Sequence, residues 1–148
     1  MKLSDLFHQH KDLARILQKS DRVDVNNARN SGGPQGYVRI YSVKRLKNGG
    51  FLFVTITREP YKRPRKHLVK IWPKDPNYRG KLSDCPDVLI RCDCARFMFK
   101  WEVANNIHGI SPIHYSNGEF PSETNPRAKA SGCKHVIRCG KAILNHGW

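Results

Sequence analysis

Tyr37-Val38-Arg39-Ile40-Tyr41-Ser42-Val43, then Lys47-Asn48-Gly49-Gly50, then Phe51-Leu52-Phe53-Val54-Thr55-Ile56-Thr57 is the stretch that decides the fold. β-branched and aromatic residues dominate both flanks, and apolar and polar positions alternate in the first of them. The Asn-Gly-Gly between them can take the positive φ angles of a tight reversal. Together these features predict a β-hairpin. Working outward, Leu68–Trp72 predicts a third strand and Val88–Cys92 a fourth. The charged segment 58–67 and the turn-rich segment 73–86 connect them. Short strands with short connections predict a meandering antiparallel sheet.

Helical spacing appears on both sides of this sheet. Leu3, Leu6, Phe7, His10, Leu13, Ile16 and Leu17 recur every three or four residues, predicting an amphipathic helix over residues 1–20. Residues 21–36, rich in Asn, Ser and Gly, read as a linker. After the fourth strand, residues 95–106 predict a helix with Phe97, Trp101 and Ala104 on one face. Phe97, Phe99 and Trp101 also alternate, so a strand is the competing reading. Residues 107–132, broken by Pro112, Pro121 and Pro126, predict a long loop. Residues 133–145 predict a last helix with a Val136, Ile137, Gly140, Ile143 and Leu144 stripe. The expected class is α+β: an N-terminal helix, a small antiparallel sheet and a metal-stapled C-terminal helix. Residues 37–148 are expected to form one domain.

The cysteines carry the chemistry. Cys92 and Cys94 leave the fourth strand, and Cys133 and His135 open the last helix, with 38 residues between the pairs. Thiolates and a neutral imidazole are the usual donors of a structural zinc centre, so the expected ligands are Cys92, Cys94, Cys133 and His135. At a helix N-terminus, free N–H groups and the helix dipole favour thiolate over thiol. Cys139, one helical turn after His135, competes with Cys133 for the fourth position; otherwise Cys139 and Cys85 read as packed, unreactive thiols. An odd cysteine count, without a secretory leader, predicts reduced thiols inside a cell.

The chain has 148 residues, with 27 Lys+Arg against 12 Asp+Glu, a formal charge of +15. That excess favours a polyanionic partner through counterion release. Arg58, Lys62, Arg63, Arg65, Lys66 and Lys70 place six cations in thirteen residues against Glu59 alone. Pro60 and Pro64 stiffen this run, and Tyr61 offers a ring for stacking. It is the expected nucleic-acid contact, tracking phosphates without reading sequence, with a solvated charge run or an acidic protein partner as the plainer readings. No apolar run reaches the roughly 18 residues of a membrane span. No carboxylate pair or histidine cluster has the spacing of a general acid–base or catalytic metal site; Asp84, Asp87 and Asp93 are near one another in sequence only. The expectation is therefore a non-enzymatic protein.

The C-x-C and C-x-H pairs resemble the SWIM-type zinc finger, and residues 88–144 resemble SWIM-like segments in small proteins of tailed bacteriophages. The matching residues are Cys92-Asp93-Cys94, the aromatics Phe97, Phe99 and Trp101 with Glu102 and Ala104, Tyr115-Ser116-Asn117-Gly118-Glu119, Asn125-Pro126, and Cys133-Lys134-His135. The resemblance implies a zinc module for DNA binding or protein–protein contact. It further implies a virion-associated structural protein, located in the virion or host cytoplasm and touching other virion proteins. A free nucleic-acid-binding accessory or regulatory protein is the alternative, and a nuclease a remoter one.

Overall fold

The computed structural model describes residues 1–8, 37–58, 63–114 and 116–148. Four strands follow one another in a single antiparallel sheet ordered β1-β2-β3-β4: Tyr37–Arg45, Phe51–Arg58, Arg65–Pro73 and Val88–Cys92. The predicted hairpin is β1–β2, with a bulge between Ile40 and Ser42. Gly49 takes φ +80°, and a Cβ on Gly50 would lie 2.4 Å from Trp72 Cβ. The turn therefore needs glycine once for backbone conformation and once for close approach to β3.

β3 starts at Arg65, three residues earlier than the alternation suggested. Thr57 pairs with Arg65, Ile56 with Lys66 and Thr55 with His67, so Arg65 and Lys66 belong to the strand and not to the preceding loop. Ladder hydrogen bonds override the charge of these residues, and Pro64 sets the boundary because it has no N–H to donate.

Alternation sorts the strands into two faces. Phe51, Phe53, Thr55 and Thr57 of β2 are buried, with Val69, Ile71 and Pro73 of β3 and Val88, Ile90 and Cys92 of β4. This inner face is apolar at the Phe51 and Ile71 end and turns polar toward Thr55, Thr57, His67 and Arg65.

After β4, a helical turn opening at Ala95 widens into a π-helical turn, Phe97–Trp101. It continues as an α-helix, Glu102–Ile107. The helical reading of residues 95–106 holds, with Phe97, Trp101 and Ala104 buried as the spacing required. The C-terminal helix, Lys134–His146, lies against β1, β3 and β4. Its Val136 and Ile143 join Phe53, Val69, Ile71 and Ile90 in the core.

The two ends of the chain close the apolar end of the sheet. Leu3 and Leu6 are fully buried, around a single helical turn at Asp5–His8. The rest of the expected N-terminal helix, residues 9–20, and the linker at 21–36 lie outside the described residues. The Met1 ammonium pairs with Asp87 and holds that carboxyl below the usual carboxylate range. Trp148 is a packing anchor on its own domain: its ring stacks on Phe51 at 5.1 Å and on His146 at 4.7 Å. Its carbonyl accepts the Ser83 N–H at 2.6 Å.

Candidate metal centre

The strand β4 ends at Cys92, and the chain turns so that Cys94 stands just before the helical turn at Ala95. The Cys94 sulfur accepts the Phe97 N–H at 3.3 Å, capping that turn. Cys133 stands in extended backbone as the N-cap of the C-terminal helix, which places His135 in its first turn. Both pairs therefore meet at helix N-termini, where the peptide dipoles favour anionic sulfur.

Cys92, Cys94, Cys133 and His135 are all buried, and their donor atoms lie within 4.8 Å of one another. His135 Nδ1 is 3.6 Å from Cys133 Sγ and 3.9 Å from Cys92 Sγ. A tetrahedral centre with bonds of about 2.3 Å to sulfur and about 2.0–2.1 Å to nitrogen separates such donors by about 3.6 Å. The four residues can hold a metal ion, and the donor set is consistent with zinc. Cys139 is fully buried in the core and is outside this quartet, so Cys133 takes the position the two contested. Cys85 is also buried elsewhere, its thiol donating to the Asp87 carbonyl at 3.0 Å.

The thiols titrate against one another. Hydrogen bonds from Cys133 and then Cys92 hold Cys94 well below the ordinary thiol range. Hydrogen bonding to Cys133 and Cys94, followed by burial, pushes Cys92 far up, and burial first of all pushes Cys133 up. The protein alone thus concentrates negative charge on Cys94. A divalent cation provides the charge that lets the other thiols ionise.

Neighbouring groups orient these donors. His135 Nε2 is 2.9 Å from Thr57 Oγ1, which leaves Nδ1 facing the sulfurs. The His67 ring lies 4.5 Å from that of His135, and His67 Nδ1 donates to Asp93 Oδ1 at 3.2 Å. The same oxygen accepts the Leu68 N–H at 2.9 Å. The middle residue of the C-x-C knuckle is thereby tied to β3, and the Asp93 carboxylate serves that purpose. Asp87 is engaged with the N-terminus.

The long loop before Cys133 is held by three buried polar side chains. Glu102 accepts the backbone N–H groups of His114 and Ser116. Asn105 both donates to the Ser131 carbonyl and accepts the Ser131 N–H, two residues before Cys133. Asn125 donates to the carbonyls of Lys100 and Lys129 and accepts the Lys129 N–H. Sequence reasoning did not foresee these hydrogen bonds, although Glu102 and Asn125 fall among the residues of the SWIM-like resemblance. A polar residue within an otherwise buried helical stripe, such as Asn105 beside Ala104, is the signal that could have found them.

The basic run divides. Lys66 and Lys70 fall on the outer face of the sheet, with ammonium groups over the Tyr41 ring at 5.1 Å and the Trp72 ring at 4.6 Å. Arg63 and Arg65 turn to the inner side, where they line a cleft beside the metal cluster. Arg58 ends β2, and Lys62 lies outside the described residues. Among the described residues no helix is long and apolar enough to cross a membrane. Comparison with protein-family models, curated proteins and solved structures finds no match to this chain.

Proposed function

We propose that this chain is a non-enzymatic nucleic-acid-binding protein stapled by one zinc ion. The observation that carries the reading is the buried quartet Cys92, Cys94, Cys133 and His135. Three thiolates and an imidazole favour zinc over magnesium, calcium or manganese, which prefer oxygen donors. Four protein ligands complete the tetrahedron and leave no position for a reacting water, so the ion's role is structural. It joins the end of β4 to the start of the C-terminal helix across the 108–132 loop.

The surplus of 15 positive charges supports a polyanionic partner, DNA before RNA, bound through its phosphates and without sequence readout. A virion-associated role in a tailed phage, with other virion proteins as neighbours, rests on the SWIM-like resemblance. Mass spectrometry of purified particles tests that setting: the chain among virion proteins supports it, and its absence favours a free accessory protein.

Two measurements test the core of the reading. Protein purified under reducing conditions carries one zinc per chain, and less than about half an equivalent contradicts the staple. The logarithm of the nucleic-acid affinity falls linearly with the logarithm of salt concentration, and a flat dependence contradicts phosphate contact.

A further inference from the structure

Three segments far apart in sequence wall a cleft of about 450 Å³ beside the metal cluster. The β2–β3 hairpin contributes Arg63 and Arg65. The helix after the C-x-C knuckle contributes Arg96 and Lys100, and the start of the C-terminal helix contributes Lys134. Among the described residues that line it none is a carboxylate, and Cys94, Cys133 and His135 of the metal cluster form part of its wall. Arg63, Arg65 and Arg96 are exposed, while Lys100 and Lys134 are half-buried. Five cations facing one concavity raise its positive potential well above that of a flat surface with the same charges. Guanidinium forks suit paired contacts to phosphate oxygens, and the ammonium groups add point charges.

Gly132 lines one wall with its backbone. A Cβ there would lie 2.7 Å from Val136 Cγ1 and 2.8 Å from Val136 Cβ, so the backbone of this stretch of wall packs directly on the buried Val136 of the C-terminal helix. The N-terminus of this thirteen-residue helix adds its dipole to the five cations. The volume falls within the roughly 300–1,000 Å³ of sites that enclose small ligands. It suits a phosphate ester with its attached sugar, a smaller target than the surface of a duplex.

We propose that this cleft binds a phosphate-ester group and is where a nucleic-acid strand seats one of its backbone phosphates. The source of the phosphate rests on the nucleic-acid reading above; the chemistry of the cleft does not, and a free nucleotide presents the same group. Of the six-cation run, Arg63 and Arg65 are the described residues that take part. Arg96, Lys100 and Lys134, spread over the chain, complete the site because the metal cluster gathers the segments that carry them.

The test uses the zinc-loaded full chain and a short fluorescent single-stranded DNA, followed by anisotropy across a salt series. Calorimetry with a mononucleotide and with inorganic phosphate forms the second arm. Arg65→Gln, Arg96→Gln and Lys134→Gln are compared, singly and together, with Lys47→Gln and Lys81→Gln, each of which removes one charge away from the cleft. Zinc content and circular dichroism verify the fold of each variant. The triple variant is expected to lower the salt slope by about 0.7, the share of the one single-strand phosphate that is no longer neutralised, while the two controls keep the wild-type slope. Equal weakening in cleft and control variants would overturn the cleft and leave the broader nucleic-acid reading standing. Mononucleotide binding that disappears in the triple variant, with no binding of the strand, would sustain the cleft and refute the nucleic-acid reading. Binding of none of the three probes would refute both.

Discussion

The inner face of the sheet has two halves that are held by different forces. At one end Phe51, Phe53, Val69, Ile71 and Ile90 meet Val136, Ile143 and the ring of Trp148. Contact there is non-directional, and each large apolar side chain removed from water contributes about 1.5–3 kcal/mol. At the other end the same strands present Thr57, His67 and Cys92 to His135 and its sulfur neighbours. Most of these side chains are also buried but smaller and more polar, and with a metal bound the stabilisation is directional: coordinate bonds, and hydrogen bonds that aim the ligands. One half tolerates approximate shapes but needs volume, whereas the other tolerates loss of volume but needs each donor in place.

Removing the ion is expected to separate the halves most strongly. Structural zinc in small fingers contributes an apparent binding free energy of about 10–16 kcal/mol at neutral pH. Chelation, or Cys94→Ser, should therefore strip amide-exchange protection from the C-terminal helix and the C-x-C turn, while the β1–β2 hairpin retains more of its protection. Uniform loss across the chain would show the halves to be one cooperative unit. Acidification should act in the same direction, because protons compete with the metal for the buried thiolates.

Phe53→Ala probes the apolar half. Its side chain is fully buried, and truncation should cost about 3–5 kcal/mol in denaturant unfolding with the zinc content unchanged. Loss of metal in this variant would show that packing, and not the ligands, positions the cluster.

How much of this division was legible beforehand depends on range in sequence. Period-two alternation and the Asn48-Gly49-Gly50 turn are local signals, so the hairpin, the four strands and their meander could be read directly. The ligand pairs could be read as well, because C-x-C and C-x-H are themselves local. Cys133 against Cys139 could not be decided, since both positions suit a helical ligand, and only the packing sends Cys139 to the core. The start of β3 was misplaced because Arg65 and Lys66 look like loop residues until Thr57 and Ile56 pair with them. The cleft was invisible: Arg65, Arg96 and Lys134 converge only after the chain has folded.

Asn105→Ala sharpens the comparison on the directional side. It leaves both backbone groups of Ser131 without the side chain that holds them, close to Cys133. The expected cost is about 1–3 kcal/mol, the range for buried polar groups that lose a partner. Zinc should also be lost more readily, which a competition titration with a chromophoric chelator would detect. An unchanged zinc affinity would detach the loop from the centre.

Thr57→Val is the smallest step. It preserves the shape and removes the hydroxyl at 2.9 Å from His135 Nε2. Removing such an outer hydrogen bond commonly lowers metal affinity about 10–100-fold, with little change in global stability when metal is saturating. An affinity equal to that of the wild type would mean that His135 is aimed by packing alone.

X-ray absorption at the zinc edge of the reduced, stoichiometrically loaded protein tests the centre itself. Three sulfur scatterers at about 2.3 Å and one nitrogen at about 2.0–2.1 Å are expected for Cys92, Cys94, Cys133 and His135. A shell dominated by oxygen or nitrogen, or a spectrum unchanged by Cys94→Ser, would contradict the account.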